Sequence, residues 1–552
     1  MQITGAEVMV KCLQEEGVTT IFGYPGGAIL PFYNALRDVD NIKHILTAHE
    51  QGAAHAADGY ARASGRVGVC CATSGPGATN LVTGLANAFL DSIPLVAITG
   101  QVKSSLIGHD AFQEVDITGI TMPITKQNFL VNKPEELAQT MRLAFQIAKS
   151  GRPGPVLVDV AHDVQTSMME YHPAKLRELP TMLPDKDLVD AAITALNKAQ
   201  RPVMLVGGGV AISGAEYEAV HVCEKMHMPV VSTLMGLGCI SSYREQFLGM
   251  SGLHGHERAN RALANADVIL ALGTRFNDRV TGDRAKYSAH KTIIHIDIDP
   301  AELNKNIEST IDISGDMRTI LNMLDKGCKG HDIKAWWDKL CTWPGMEEDY
   351  GNNTAPLFIQ ALNPVLKGKE FLAVTDVGQH QMFTAQHLKV EYARQLITSG
   401  GLGTMGFGLP AAMGAKLGAP DKKVVCVSGD GGFKMTGSEL FTLASNNIPV
   451  VAIIFNNSGL GMIRQLQTTS FNKRFMACEC PGYVDFVKYA ESFGLEGEHV
   501  TTPEELAAAV EKGLKLDHTY VIEVTVDPRD MVVPMVAPGK GVDEFVEGLG
   551  EK

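Results

Sequence analysis

The sequence predicts an α/β fold of three doubly wound parallel-sheet domains, and three observations carry that expectation. Apolar strand-like runs alternate with helical patterns from end to end, the arrangement that buries a parallel sheet between layers of helix. The 56 glycines among 552 residues gather where apolar runs end, the edge at which open α/β sheets take ligands. The first and last thirds also repeat one another in outline. VCCATSGPGATNLVTGLANAFLDSIPLVAITG (69–100) and VVCVSGDGGFKMTGSELFTLASNNIPVVAIIFNN (424–457) each read as a Cys-containing strand, a Ser-Gly turn, a helix, Ile-Pro and a second strand. Gly75 to Pro94 is 19 positions and Gly429 to Pro449 is 20. That likeness fits a duplicated fold, with a central Rossmann-like domain between the copies, or merely the general resemblance of two βαβ units.

Each domain follows from its own runs. At roughly 150 residues per domain, the length allows three or four compact units. The first, residues 1–165, closes on the strand PVLVDV, and the Pro- and charge-rich MEYHPAKLRELPTMLPDKD behind it reads as a linker. The second, 188–328, holds PVMLVGGGV, ADVILALG and KTIIHIDIDP. A polar, Trp-containing passage leads into the third, 355–552, with EFLAVTDVG, KKVVCVSGDGG and IPVVAIIFNN.

Composition excludes several function classes. Hydrophobic residues at 45% and charged residues at 20% are those of an ordinary globular chain, not a disordered or collagen-like one. With 48 Lys and Arg against 62 Asp and Glu, the net charge is −14; counterion release then cannot drive binding to nucleic acid over a broad surface. The start, MQITGAEVMVKCLQEEG, has acids where a signal peptide needs an apolar stretch. No run approaches the roughly 18 apolar residues of a membrane span, so a cytoplasmic protein is expected, with no membrane partner. The ten cysteines, Cys70, Cys71 and the Cys478-x-Cys480 pair included, have no framework spacing and read as reduced thiols.

The strongest chemical signal is in the third domain. Asp430 ends one apolar strand, in Ser428-Gly429-Asp430-Gly431-Gly432, and Asn457 ends the next, with a helix between them. Both therefore lie at carboxyl ends of adjacent parallel strands, where glycine backbone N–H groups approach phosphate oxygens. A carboxylate and an amide oxygen suit Mg²⁺, a hard ion that completes its shell with water and phosphate. Thr436, three residues before Glu439, reads as a capping box for the intervening helix. Gly-Asp-Gly alone is often only a turn, but Asn457 follows Asp430 by 27 positions, and that spacing resembles the signature of thiamine diphosphate enzymes. Such enzymes need a glutamate near the N-terminus to hydrogen-bond the aminopyrimidine N1′. Glu50, in AHEQGAAHAADGYARASG, fits, although an acid at a helix start also serves simply to complement the macrodipole. His49 and His55 beside it read as structural.

Further motifs make the resemblance specific. FGYPGGAILP (22–31), HEQGAAH (49–55), SGPGATN (74–80), DAFQEVDITGIT (110–121), RFNDRVTG (275–282), DVGQHQM (376–382), GLGTMGFGLPAA (401–412) and GMIRQ (461–465) stand in order. Over nearly its whole length the chain resembles the catalytic large subunit of acetohydroxyacid (acetolactate) synthase. The resemblance implies pyrimidine-binding, central FAD-binding and diphosphate-binding domains, with the active site between two subunits. It implies decarboxylation of pyruvate on thiamine diphosphate and transfer of the hydroxyethyl carbanion to a second 2-keto acid, the first common step of branched-chain amino-acid biosynthesis. A homodimer or dimer of dimers, with a small regulatory subunit, is the implied assembly.

Residue roles follow by the same resemblance. Glu50 would activate N1′, Gly27 accept from the 4′-amino group, and Met405 sit beneath the cofactor. Asp430, Asn457 and the Gly459 carbonyl would bind Mg²⁺. Val377, Gly378, Gln379, His380, Gly403, Gly429, Gly431, Gly432, Leu460, Gly461 and Met462 would surround the thiamine diphosphate, with Phe112 and Gln113 at the reacting end. Arg279 would hold the acceptor carboxylate; its plainer reading is a surface ion pair with Asp278 or Asp283. FAD contacts are implied at Gly207, Gly208 and Gly209, and at Arg152, Thr233, Leu234, His254, Gly273, Arg275, Asn277, Val280, Asp297, Asp316, Gln381 and Met382.

The pattern breaks in three places. Leu466 stands where relatives that make acetohydroxybutyrate carry Trp, Leu253 where Met is common, and Ala161-His162 where Pro-Lys is common. An aliphatic side chain at 466 gives up shape-specific contact with the extra methyl of 2-ketobutyrate, worth about 1–3 kcal/mol, so pyruvate is the expected acceptor. Glyoxylate carboligase lacks the activating glutamate that Glu50 supplies. Pyruvate oxidase would need redox-active flavin, a nicotinamide oxidoreductase leaves Asp430 and Asn457 unexplained, and intact Glu50, Asp430 and Asn457 argue against a non-catalytic paralogue.

Overall fold

The structure is a computed structural model; it describes all residues except 176–178, 347–352, 481, 483 and 550–552. Three six-stranded sheets, each parallel throughout, follow one another along the chain. The first contains, in chain order, Thr20–Gly23, Lys43–Leu46, Gly68–Ala72, Leu95–Gln101, Gln127–Val131 and Pro155–Ala161. The third contains Phe371–Thr375, Leu396–Ile397, Lys423–Gly429, Val451–Asn456, Glu496–Val500 and Tyr520–Thr525. Both are laid out in the same spatial order: second, first, third, fourth, sixth, fifth. Identical order over six strands makes the first and third domains two copies of one fold, beyond the likeness of any two βαβ units.

The central sheet runs Pro202–Val206, Val230–Ser232, Phe247–Met250, Val268–Leu272, Thr292–Asp297 and Ile311–Ser314, ordered third, second, first, fourth, fifth, sixth. That is the dinucleotide-binding order, whose direction reverses between the first and fourth strands. The Trp-bearing passage behind it belongs to this body: Trp336 is fully buried, edge-on to Trp343, and donates its indole N–H to the Pro202 carbonyl at 3.2 Å. At the other end, Gln2–Thr4 pairs antiparallel with Met168–Glu170.

The two copies meet through helices. Glu50–Ser64 and Gly408–Gly418 are rich in Ala and Gly and press backbone to backbone. A Cβ on Gly59 would lie 2.1 Å from the Ala411 carbonyl oxygen, and one on Gly414 1.8 Å from that of Ala56. The small-residue helix that begins at Glu50 is therefore small because it packs against the third domain of its own chain. No helix among the described residues is long and apolar enough to cross a membrane.

Candidate functional site

The third sheet reverses direction between Phe371–Thr375 and Lys423–Gly429, and the residues following those two strands build a cradle there. Asp430 is the first residue of the helix Asp430–Thr436, and pairing of Gly429 with Phe455 sets it beside the end of the strand that leads to Asn457. Its carboxylate is only 2% exposed and meets Lys434 Nζ at 3.3 Å. Burial raises its pKa, and Lys434 opposes that rise. Asn457 Oδ1 accepts from the Gly459 N–H at 3.1 Å. The turn at 458–460 is clamped by backbone bonds from Leu460 to the Cys478 carbonyl (2.7 Å) and from Cys480 to Ser458 (3.0 Å). Cys478 and Cys480 are free thiols that serve here through their backbone.

His380, on the helix Gln379–His387, closes the other side. Its ring fills the space a Cβ on Gly429 would need, 2.8 Å from Nδ1. Burial lowers its pKa to about 3, so it is neutral, and Nε2 is buried without a partner. Gln379 donates to Gln465 Oε1 (3.0 Å) and the Asp530 carbonyl (2.8 Å). Met405 and Leu460 face Gly431, whose Cβ would lie 3.4 Å from Met405 Cε and 2.7 Å from Leu460 Cδ2.

Asp376 ties these pieces together and went unread in the sequence. Fully buried, it accepts from the backbone of Val377 (2.7 Å), Gly406 (3.0 Å) and Gly408 (2.9 Å). It thus fixes the turn carrying Met405 against the strand end carrying Gly378. The signal that marks it in the sequence is an acid closing an apolar strand in TDVGQ.

The capping box expected at Thr436 and Glu439 does not form. Thr436 donates to the Gly406 carbonyl at 2.8 Å. Glu439 leaves its own helix and accepts from the backbone N–H of Ala48 (3.1 Å) and His49 (3.2 Å) and from the Thr442 hydroxyl (2.7 Å). Tertiary donors at the start of a neighbouring helix outcompete the local cap.

In the first domain Glu50 is the first residue of its helix and accepts from Asn80 Nδ2 at 3.0 Å; Asn80 was not singled out from SGPGATN. His49 caps that helix through Nδ1, and His55 is buried against Phe407, as expected of structural histidines. Gly27 opens the turn Gly27–Ile29, held by a bond from Ala28 N–H to Thr73 Oγ1 at 3.3 Å. Gln113 takes a left-handed φ of 60° against Gly75, and Phe112 is 88% exposed. Among the described residues no hydrogen bond joins Glu50, Gly27, Phe112 or Gln113 to Asp430, Asn457 or Gly459 within one chain.

A cavity of about 930 Å³ opens at the carboxyl ends of the central sheet, at its reversal point, and is walled by all three domains. Fourteen predicted flavin-side residues line it: Arg152, Gly208, Gly209, Thr233, Leu234, His254, Gly273, Arg275, Asn277, Val280, Asp297, Asp316, Gln381 and Met382. Gly207 stands behind the wall, where a Cβ would lie 2.2 Å from the Gly273 carbonyl oxygen. Val377, Gly378, Gly403, Met462, Leu253, Arg279 and Leu466 line the same cavity, so the predicted acceptor end is continuous with it. Glu50, Asp430 and Asn457 are not among its lining residues.

Charge in the cavity is mixed. Arg152 is spent on Glu302 (2.6 Å) and Ser92 (2.7 Å). The Arg275 guanidinium has no hydrogen-bond partner among the described residues, and burial lowers its pKa. Burial raises Asp297 to about 6 and lowers His254 to about 4, leaving a neutral ring whose Nδ1 has no partner. Asp316 caps the next helix through Thr319 N–H at 2.8 Å. Arg279 lies 3.8 Å from Asp278, both side chains more than two-thirds exposed, the surface pair foreseen as its plainer reading. Asp283, the other foreseen partner, caps Arg284–Ser288 instead.

Three family models match the chain in order: the N-terminal TPP binding domain of thiamine pyrophosphate enzymes at residues 3–120, the central domain at 189–324 and the C-terminal TPP binding domain at 376–524. Similar proteins include the probable acetolactate synthase large subunits of Methanococcus aeolicus (44% identical, covering 100% of this chain and 96% of that one) and Methanocaldococcus jannaschii (45%; 99% and 95%). The acetolactate synthase isozyme 2 large subunit of Escherichia coli K12 is 44% identical over 99% of this chain and 100% of its own.

Proposed function

The chain belongs to the acetolactate synthase large-subunit family of thiamine pyrophosphate enzymes, and on that footing we propose how its residues carry the reaction. The reaction is decarboxylation of pyruvate and transfer of its two-carbon unit to a second 2-keto acid, giving 2-acetolactate when that acceptor is pyruvate. The observation that carries the reading is the pairing of strand ends that sets Asp430 beside Asn457 at the reversal point of the third sheet.

The donors fit the groups the family uses. Asp430, Asn457 and the Gly459 carbonyl form a hard oxygen set suited to Mg²⁺. His380 brings a buried, unpaired Nε2 to the cradle, and the glycines Gly429, Gly431 and Gly432 let a diphosphate approach the backbone closely. When bound, thiamine diphosphate supplies the nucleophilic carbon and the electron sink for decarboxylation. Glu50, oriented by Asn80, holds a proton at the pyrimidine nitrogen, and Met405, braced by the turn on Asp376, fills the space above Gly431. Arg279 is free to swing from Asp278 to an acceptor carboxylate, a charge-assisted pair. Leu466 shapes the acceptor's side-chain space.

The cavity at the central sheet fits FAD. Its volume, the strand-end glycines, the unpaired Arg275 guanidinium and the orphaned His254 Nδ1 supply room, a backbone cradle and donors. The flavin is read as a structural wall of the acceptor channel, and Asp297 as a partner for a ribose hydroxyl.

Completion of the site by a second copy is supported by the placement of Glu50 on Asn80, with no hydrogen bond to the Asp430 cradle among the described residues of one chain. Exposed Phe112, Met122 and Met435 then find cover at that interface. The relatives' names as large subunits support a smaller regulatory partner, and the reaction fits a cytoplasmic enzyme.

The deciding experiment supplies purified protein with thiamine diphosphate, Mg²⁺, FAD, pyruvate and equimolar 2-ketobutyrate, and quantifies both acetohydroxy acids. Mostly acetolactate is expected. Dominant acetohydroxybutyrate would overturn the reading of Leu466, and acetate formed with reduction of an electron acceptor would point to an oxidase.

A further inference from the structure

We propose that Glu439 is a positioning residue for Glu50, holding the start of the helix Glu50–Ser64 at the depth that catalysis requires. The inference rests on the reading of Glu50 as the group that handles the pyrimidine proton. Glu439 is the last residue of the turn Gly437–Glu439, which directly continues the helix begun by Asp430. Its side chain is 1% exposed, yet it caps no backbone N–H of the helix Leu440–Ser445 that follows it. Oε2 accepts from the Ala48 N–H at 3.1 Å and Thr442 Oγ1 at 2.7 Å, and Oε1 accepts from the His49 N–H at 3.2 Å. Ala48 and His49 are the two residues immediately before Glu50, and His49 is its N-cap.

The chemistry calls for a carboxylate. Three donors converge on one group, and only an ionised acid offers acceptors on both oxygens. A glutamine keeps one acceptor and turns its NH₂ toward a backbone N–H, leaving a buried donor unpaired, a cost of about 1–3 kcal/mol. The negative charge also faces the positive end of the helix dipole. Burial works against that charge and raises the pKa of Glu439, while the hydrogen bonds from Thr442, Ala48 and His49 pull the other way. Gly52 makes room: a Cβ there would lie 1.9 Å from Glu439 Oε1. One short segment thus carries both the metal-cradle acid Asp430 and the brace for Glu50.

The test uses the full-length chain. Glu439→Gln is expected to lower kcat at least tenfold while KM for pyruvate stays within twofold, with Glu439→Asp recovering less than full activity. The effect must run through Glu50. In a Glu50→Gln background, adding Glu439→Gln should cost no more than a further twofold. A full tenfold loss in both backgrounds overturns the proposal. Independently of turnover, amide exchange at Ala48 and His49 should quicken at least tenfold in Glu439→Gln, with the helix Gly408–Gly418 unchanged; unaltered exchange at 48 and 49 equally overturns it. Should that variant fail to fold, Gly52→Ala displaces the carboxylate without removing it and should give the same exchange change. If the unaltered chain makes no acetolactate, the reading of the reaction fails, whereas the exchange result still decides whether Glu439 holds this helix start.

Discussion

Asp91 Oδ2 accepts from Arg62 Nη2 at 2.8 Å and from the Gly400 N–H at 3.0 Å, while Oδ1 takes the Gly401 N–H at 2.7 Å. A buried charge pair therefore welds the helix that begins at Glu50 to the loop that leads to Gly403 and Met405. Arg62 also holds Asp58 and donates to the Thr398 carbonyl at 2.8 Å.

Asp91→Ala should loosen that loop. It leaves two backbone donors and part of a buried guanidinium unpaired, in a class of change that costs about 3–5 kcal/mol; the second partner Asp58 keeps it near the low end. The variant should show a lower apparent Tm and faster loss of flavin on gel filtration. Unchanged melting and flavin retention would mean the loop is held elsewhere.

Asp430→Asn keeps shape but removes the charge that a divalent cation needs. Thiamine diphosphate affinity, read by quenching of intrinsic fluorescence in the presence of Mg²⁺, should fall at least tenfold. The apparent Tm without cofactors should hold or rise, since burial already disfavours the charge of this carboxylate. Retained affinity would place the metal elsewhere.

Arg279→Gln separates the two halves of the reaction. The exposed pair with Asp278 contributes at most about 1 kcal/mol, so stability should not move. Carboligation should fall at least tenfold relative to CO₂ release; equal loss of both would remove its special role.

Leu466→Trp should raise the proportion of acetohydroxybutyrate made from equimolar acceptors by roughly tenfold, the discrimination a pocket contact of about 1–3 kcal/mol delivers. No gain in that product would show that position 466 does not select the acceptor.

Parts of the site were legible because they are local. Asp430 and Asn457 each follow an apolar strand within one βαβ unit, so strand-end logic sufficed to pair them. The parallel sheets were legible for the same reason, while their order was not, because neighbours such as Tyr520–Thr525 and Val451–Asn456 are set by long-range packing. Glu439 misled because Thr-x-x-Glu is a local pattern, whereas its donors at Ala48 and His49 lie almost four hundred residues away in sequence. Asp376 and Asn80 are not legible as site residues because what they hold, the N–H groups at Gly406 and Gly408 and the Glu50 carboxylate, is adjacent only in the folded chain.

Asp159 should make stability depend on pH. It is buried in the strand Pro155–Ala161, where it accepts from Thr99 Oγ1 at 2.7 Å and Gln101 Nε2 at 2.9 Å, and burial raises its pKa from 3.8 to about 7. The folded state thus binds a proton that the unfolded state has lost. Between pH 4 and 7 the native chain holds more protons, so stability falls as pH rises through that window and levels off above it. Each pH unit within the window is worth about 1.4 kcal/mol at most. Asp159→Asn cannot ionise, and its amide can still accept from Gln101 while donating to the Thr99 hydroxyl. It should therefore flatten this part of the pH dependence and raise the apparent Tm at pH 8 relative to the unaltered chain. Gln101 also donates to the Val115 carbonyl at 3.0 Å, so the variant keeps the segment bearing Phe112 and Gln113 anchored and should leave kcat within about twofold. Apparent Tm measured at pH 5, 6, 7 and 8 for both proteins decides the matter; parallel curves would show that Asp159 does not titrate in the folded chain.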